Sequence, residues 1–355
     1  MSSEKQGTPK RPKSRFNRFL NGAVFFISLG VLGNLYFTWK TTDFGASFRW
    51  EEFSPGYLLL AAALAFMPWV THMLRLTVWA RFLKVKASAV ELFRIAVATD
   101  LGAAVTPTVV GGAPIKLGML VQQGFSAGAA TMLVAIASFE DVFFMLLIIP
   151  VSLALTGRWD SPVVARLLEN LSENWPKILL IAGAVVIGAW LLYRLANLLF
   201  GRYFRNMRNP ILRLFRNKTQ KLKEDFRTIA RLIRSEGKKA FFLSLLLNTV
   251  QWLFRFSILV ALVKALGVET NFVEIFLLQW MVFIAMSMVP TPGATGGAEV
   301  AFFYVFGNLI PGGIIALVIA GWRFLTYYYI MLMAVVLLQV TRLVGKKKAE
   351  PATAN

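Results

Sequence analysis

Nine charged side chains are read as lying within membrane segments: Arg75, Lys116, Arg194, Arg255 and Arg323, with Asp100, Glu140, Asp141 and Glu299. Each costs at least about 2.5 to 3.5 kcal/mol at the centre of a membrane-buried helix unless it is paired or wetted. Guanidinium groups can hold a phosphate in bidentate fashion, and carboxylates can hold an amino group or a coupling proton. A plainer reading stands beside this one, in which the charges pair only to lock helices together. Glu140 and Asp141 lie about 13 residues into the 29-residue apolar run from Ala127 to Leu155, too deep to reach either face. Arg323 is placed similarly in the run from Gly313 to Leu338. Arg194 is near the end of its run, where a long side chain snorkels to the surface, and is set outside the site. His72, one turn from Arg75, reads as a helix-face residue.

A second pattern occurs twice. Thr106-Pro107-Thr108-Val109-Val110-Gly111-Gly112-Ala113 and Thr291-Pro292-Gly293-Ala294-Thr295-Gly296-Gly297-Ala298 both read T-P-x-x-x-G-G-A, 185 residues apart. Proline ends an incoming helix by removing a backbone donor, and the glycine pair lets the chain turn and approach a neighbour closely. A returning half-helix that starts at Gly112 or Gly297 would point its N-terminal amides into a polar cavity, which suits an anion. Proline and glycine also kink and pack membrane helices with no ligand involved. A matched pair of broken elements favours a binding site where the two meet. The expected substrate-binding set is therefore the intramembrane charges other than Arg194, with Thr106, Pro107, Gly111 and Gly112 of the first motif and Thr291, Pro292, Gly293, Gly296 and Gly297 of the second. With no Cys and a single His, no catalytic residue, metal or cofactor is expected.

The elements that must position these residues follow from composition. The 355 residues are 57% hydrophobic and 16% charged, against about 45 to 50% and about 25% in soluble domains, so the excess apolar surface faces lipid. The 38 Lys and Arg against 18 Asp and Glu give a net charge of +20, but the basic residues are gathered between apolar runs, which argues against nucleic acid as a partner. Six runs are long enough to cross a bilayer: 18–37, 57–79, 127–155, 176–200, 241–266 and 313–338. Two more, 90–123 and 272–310, are broken near the middle by the duplicated motif. The segment 201–239 carries 13 Lys and Arg against 3 acids, and the positive-inside bias makes it cytoplasmic, with the basic residues 1–17 and the tail 343–355. That parity holds if both broken runs are re-entrant hairpins; eight ordinary crossings with one violation of the bias is the alternative. The expected fold is an all-α polytopic membrane protein with six transmembrane helices plus two re-entrant broken-helix hairpins in an inverted repeat. Both termini would lie on the cytoplasmic side of a cell (inner) membrane. Within 202–239, apolar residues at helical spacing alternate with basic ones, as in an amphipathic surface helix that binds anionic lipid headgroups or docks a partner.

These features resemble the lysylphosphatidylglycerol synthase transmembrane-region family, also called the flippase-like domain or UPF0104 family, over roughly residues 18–342. Residues 290–299 match the family's Pro-x-Pro-Gly-x-x-Gly-x-x-Glu pattern in full. In the first motif the family commonly has an acid after the glycines and a later Arg, where this chain has Ala113-Pro114 and Lys116. The resemblance implies a flippase-like function, moving a phospholipid or lipid-linked headgroup between leaflets. It also leaves open a membrane-embedded headgroup transferase, or a scaffold for a cytosolic lipid synthase. In two-domain members a soluble aminoacyl-transferase domain follows the membrane part; about 13 residues follow Arg342, so that activity is not expected here.

Overall fold

The computed structural model describes residues 50–106, 111–157, 224, 227–228, 231–287, 289, 291 and 293–349, with side chains to 341. The runs 18–37 and 176–200, Arg194, most of 201–239, Pro107 and Pro292 lie outside the described residues. Those described are helices joined by turns, with no strand among them.

The first long helix, α1 (Pro55–Phe82), starts with proline in its first turn, where the missing N–H costs nothing. It leads to a helical hairpin of α2 (Ala89–Val105) and α3 (Gly112–Gln122), then to α4 (Ala127–Thr156). After the undescribed stretch the order repeats: α5 (Lys238–Ala265), a broken element of α6 (Phe272–Leu277), α7 (Gln279–Ser287) and α8 (Gly297–Phe306), and a long final helix. That last helix comprises α9 (Gly312–Arg323), a π-helical turn at Phe324–Tyr328 and α10 (Tyr329–Ala349). Among the described residues four helices are long and apolar enough to cross a membrane: Pro55–Phe82, Ala127–Thr156, Lys238–Ala265 and Gly312–Thr341.

The two motifs break the chain at matching points. α3 begins at Gly112 and α8 at Gly297, the second glycine of each motif, 185 residues apart. In the first break, Thr106 is extended (φ −105°, ψ 146°), as a residue before proline must be. Its hydroxyl donates to the Gly102 carbonyl (2.8 Å) and accepts from the Gly111 amide (3.0 Å), tying the end of α2 to the start of α3. In the second break the chain turns through Gly293 (φ +61°) and Gly296 (φ +89°), both in the left-handed region. The Gly296 amide donates to Glu299 Oε2 (2.8 Å), and the Thr291 hydroxyl donates to the Thr295 carbonyl (3.0 Å).

Packing turns a soluble protein's pattern inside out. Phe139, Val142, Phe143, Leu146 and Leu147 make an exposed apolar face along α4, and Leu59, Phe242 and Tyr304 are among the most exposed large side chains. Glu140, Asn248, Ser152 and Arg323 are almost wholly buried. Helices α1 and α5 run antiparallel: the Ser54 amide meets the Ala265 carbonyl (2.8 Å), and the Trp79 indole donates to Ser244 Oγ (3.0 Å). Around this central pair, one apolar core gathers α5 to α9 with parts of α1 and α4, a second gathers α1 to α4, and a third packs α1 and α2 against the π-helical turn and α10.

A methyl group on Gly112 would lie 2.8 Å from the Thr99 carbonyl, whereas one on Gly118 meets nothing within 4 Å. Gly112→Ala is expected to destabilise the protein by about 1 to 3 kcal/mol by forcing α3 off α2. Gly118→Ala should leave the melting temperature unchanged or raised; thermal unfolding of both variants in detergent checks this.

Candidate functional site

A cavity of about 340 Å³ opens between α1, α2, α3, α4, α5 and the π-helical turn. Its charged lining comes from five helices: Arg75 of α1, Asp100 of α2, Lys116 of α3, Asp141 of α4 and Arg255 of α5. Pro68 also borders it; the Thr71 hydroxyl donates to the Pro68 carbonyl (3.0 Å) in the helix turn next to His72.

Arg75 is held from several sides. One terminal nitrogen donates to Asn248 Oδ1 (2.6 Å) and Gln251 Oε1 (3.2 Å) of α5, and the other pairs with Glu140 Oε2 of α4. Glu140 is 0% exposed and sits behind Arg75 rather than in the main cavity. A buried ion pair of this kind is stable only when hydrogen bonds satisfy the remaining polar atoms, and the two amides do that for the guanidinium.

Two tryptophans serve the carboxylates. The Trp69 indole donates to Asp100 Oδ2 (3.0 Å), which Arg255 also approaches at 3.5 Å. The Trp252 indole donates to Asp141 Oδ1 (3.0 Å), while the Arg255 guanidinium lies 5.5 Å from the centre of the Trp252 ring. An indole is a donor without charge, so it fixes a carboxylate while leaving its charge to act on the cavity. Lys116 is 6% exposed and has no hydrogen bond or ion pair among the described residues. Its charge is therefore without a direct partner among the described residues, although Arg255 is the more exposed cation of the cavity.

The second hairpin builds its own centre. Arg323, 1% exposed, donates through Nε to Glu299 Oε1 (2.7 Å) and through Nη2 to Thr295 Oγ1 (3.4 Å). Glu299 thus caps α8 through Gly296 and anchors Arg323 at once. The guanidinium stacks 5.1 Å from the Tyr327 ring centre, and Gly293 leaves room for that ring: a Cβ there would fall 2.3 Å from it. Tyr327 in turn lines the main cavity and donates its hydroxyl to the Ala104 carbonyl (3.0 Å) near the end of α2. It sits in the π-helical turn directly after Arg323, a local irregularity often found at functional sites.

Of the residues expected to form the site, the cavity brings together Arg75, Asp100, Gly112, Lys116, Asp141 and Arg255. Glu140 stands behind it, Thr106 and Gly111 close the first break, and Thr291, Gly293, Gly296, Gly297, Glu299 and Arg323 form the separate second centre. His72, read from the sequence as a helix-face residue, lines the cavity, and the residues the sequence reading passed over are Trp69, Asn248, Gln251, Trp252 and Tyr327. A signal was present: polar or indole side chains at 69, 72 and 75, and at 248, 251, 252 and 255, recur at helical spacing on otherwise apolar helices. Among the described residues no group of three or more His, Cys, Asp or Glu comes together to hold a metal ion.

A membrane protein with a charged cavity walled by long apolar helices and a helical hairpin is the class these features define. The chain belongs to the lysylphosphatidylglycerol synthase transmembrane-region family, whose profile matches residues 22–334. It is similar to a UPF0104 membrane protein of Archaeoglobus fulgidus, 23% identical over 281 residues, which cover 76% of this chain and 82% of that protein.

Arg75→Ala leaves Glu140 buried without its cation and is expected to cost about 3 to 5 kcal/mol. Replacing both, Arg75→Leu with Glu140→Leu, should recover most of that stability, as seen by melting in detergent, because a dry pair and an apolar pair of similar volume are nearly equivalent. Tyr327→Phe removes one hydrogen bond and should cost only about 0.5 to 1.5 kcal/mol.

Proposed function

We propose that this protein is a lipid translocase that moves a phospholipid or lipid-linked headgroup between leaflets through the cavity bounded by α1 to α5. The observation that carries this reading is a polar chamber of about 340 Å³ set among helices whose outer faces are apolar. Its size is near the lower end for small-molecule sites, of order 300 to 1,000 Å³, which suits a phosphate with a few attached atoms while acyl chains stay in hydrocarbon. Lys116, Arg255 and Arg75 would bind the phosphate; the oxygens of Asp100 and Asp141 left free by the indoles would bind an amino group.

In this reading the two broken elements are re-entrant. α2 and α3 have 17 and 11 residues, α7 and α8 have 9 and 10. A helix rises about 1.5 Å per residue, so each is shorter than the roughly 30 Å of a bilayer core. With crossings at 18–37 and 176–200 added to the four long helices, both termini and the basic segment 201–239 fall on the cytoplasmic face of a cell (inner) membrane.

Purified protein in liposomes carrying fluorescent lipids should exchange them between leaflets in a headgroup-dependent way. Lys116→Ala is expected to slow exchange by about tenfold, the effect of losing roughly 1.4 kcal/mol of binding. Exchange no faster than in empty liposomes would sink the reading. Sidedness has its own test, because the chain has no Cys. Ser235→Cys should react with an impermeant maleimide only from the cytoplasmic side and Glu269→Cys only from outside.

A further inference from the structure

Behind the main cavity lies a second chamber of about 10 Å³, bordered by His72, Arg75, Lys116, Glu140 and Ser244. That is space for about one water. Two of its polar atoms, His72 Nε2 and Glu140 Oε1, are buried with no hydrogen-bond partner. The residues are 6% and 0% exposed. A buried polar atom left unbonded costs about 1 to 3 kcal/mol, so two of them bordering one water-sized space point to a water that joins them.

The charges facing this pair come from every helix packed around it: Arg75 of α1, Asp100 of α2, Lys116 of α3, Asp141 beside Glu140 on α4, and Arg255 of α5, with the titratable Tyr327 on the far wall of the main cavity. Three cations meet three carboxylates, so the two chambers are formally neutral when the imidazole is uncharged. An anionic phosphodiester entering the main cavity would add one negative charge where unpaired charge is expensive. It would also engage Arg75 and loosen that residue's hold on Glu140.

We propose that His72, Glu140 and the water between them form a proton site coupled to the headgroup cavity, one proton binding with each anionic headgroup and none with a zwitterionic one. The proton enters from bulk water through the cavity and rests on His72 Nε2, which then donates through the bridging water to Glu140 Oε1. No other bond is made or broken. The inference rests on the headgroup reading above and gives that reading its charge rule.

The test uses the full chain in nanodiscs, with short-chain phosphatidylglycerol and phosphatidylcholine as probes. Binding heats compared in two buffers of different ionisation enthalpy should show about one proton taken up per phosphatidylglycerol and about none per phosphatidylcholine, and by linkage affinity for the former alone should fall as pH rises. His72→Asn, which can still hold a water, should abolish the uptake. Because His72 is the single histidine of the chain, selective 15N labelling of the unsubstituted protein reports its protonation directly as phosphatidylglycerol binds. Phosphatidylglycerol binding with no proton uptake, or uptake unchanged in His72→Asn with the His72 signals unmoved, would overturn the proton site and leave the headgroup cavity standing. Failure of both lipids to bind would overturn the cavity reading and the proton site together.

Discussion

The ion pair between Arg75 and Glu140 fixes the rest of the arrangement. It joins α1 to α4, and through Asn248 and Gln251 the same guanidinium reaches α5. In a water-soluble protein such a pair competes with hydration and contributes little. Here the pair is almost wholly buried, so the alternative to this geometry is a poorly compensated charge, and that penalty favours the register of the three helices. The same helices wall the cavity, and Arg75 and Gln251 belong to its lining.

The same rule shapes the two hairpins. A break in a membrane helix frees backbone groups that lipid cannot satisfy. Thr106 answers this at the first break with one hydroxyl that both donates and accepts; Glu299 answers it at the second by binding the Gly296 amide while gripping Arg323. The repeats therefore solve one problem with different chemistry, a neutral clasp in the first and an ionic one in the second. Charge that is spent on the second clasp is absent from the cavity wall.

Much of this was legible in the residues. The apolar runs 57–79, 127–155, 241–266 and 313–338 lie within or along the helices observed, since run length alone decides whether a helix can cross. The starts of the returning helices at Gly112 and Gly297 were legible too, because proline and glycine act locally on the backbone. What the sequence left open was which charges meet. Spacing tells how deep Arg323 lies but not toward which neighbour its face turns, and that face belongs to Glu299 rather than to Lys116 and Asp141. Trp69 and Trp252 were passed over because an indole in an apolar run reads as lipid-facing until a carboxylate is found beside its N–H.

Tyr327 gives the fold a property that neither hairpin has alone. Its ring rests against Gly293 and Arg323 in the second repeat, and its hydroxyl ends on the Ala104 carbonyl in the first. The ring therefore spans from the second break to the last turn of α2, with only two χ angles and the phenol O–H to set its reach. One phenol thus joins the centre built around Arg323 to the end of α2, beside the cavity that its own ring lines.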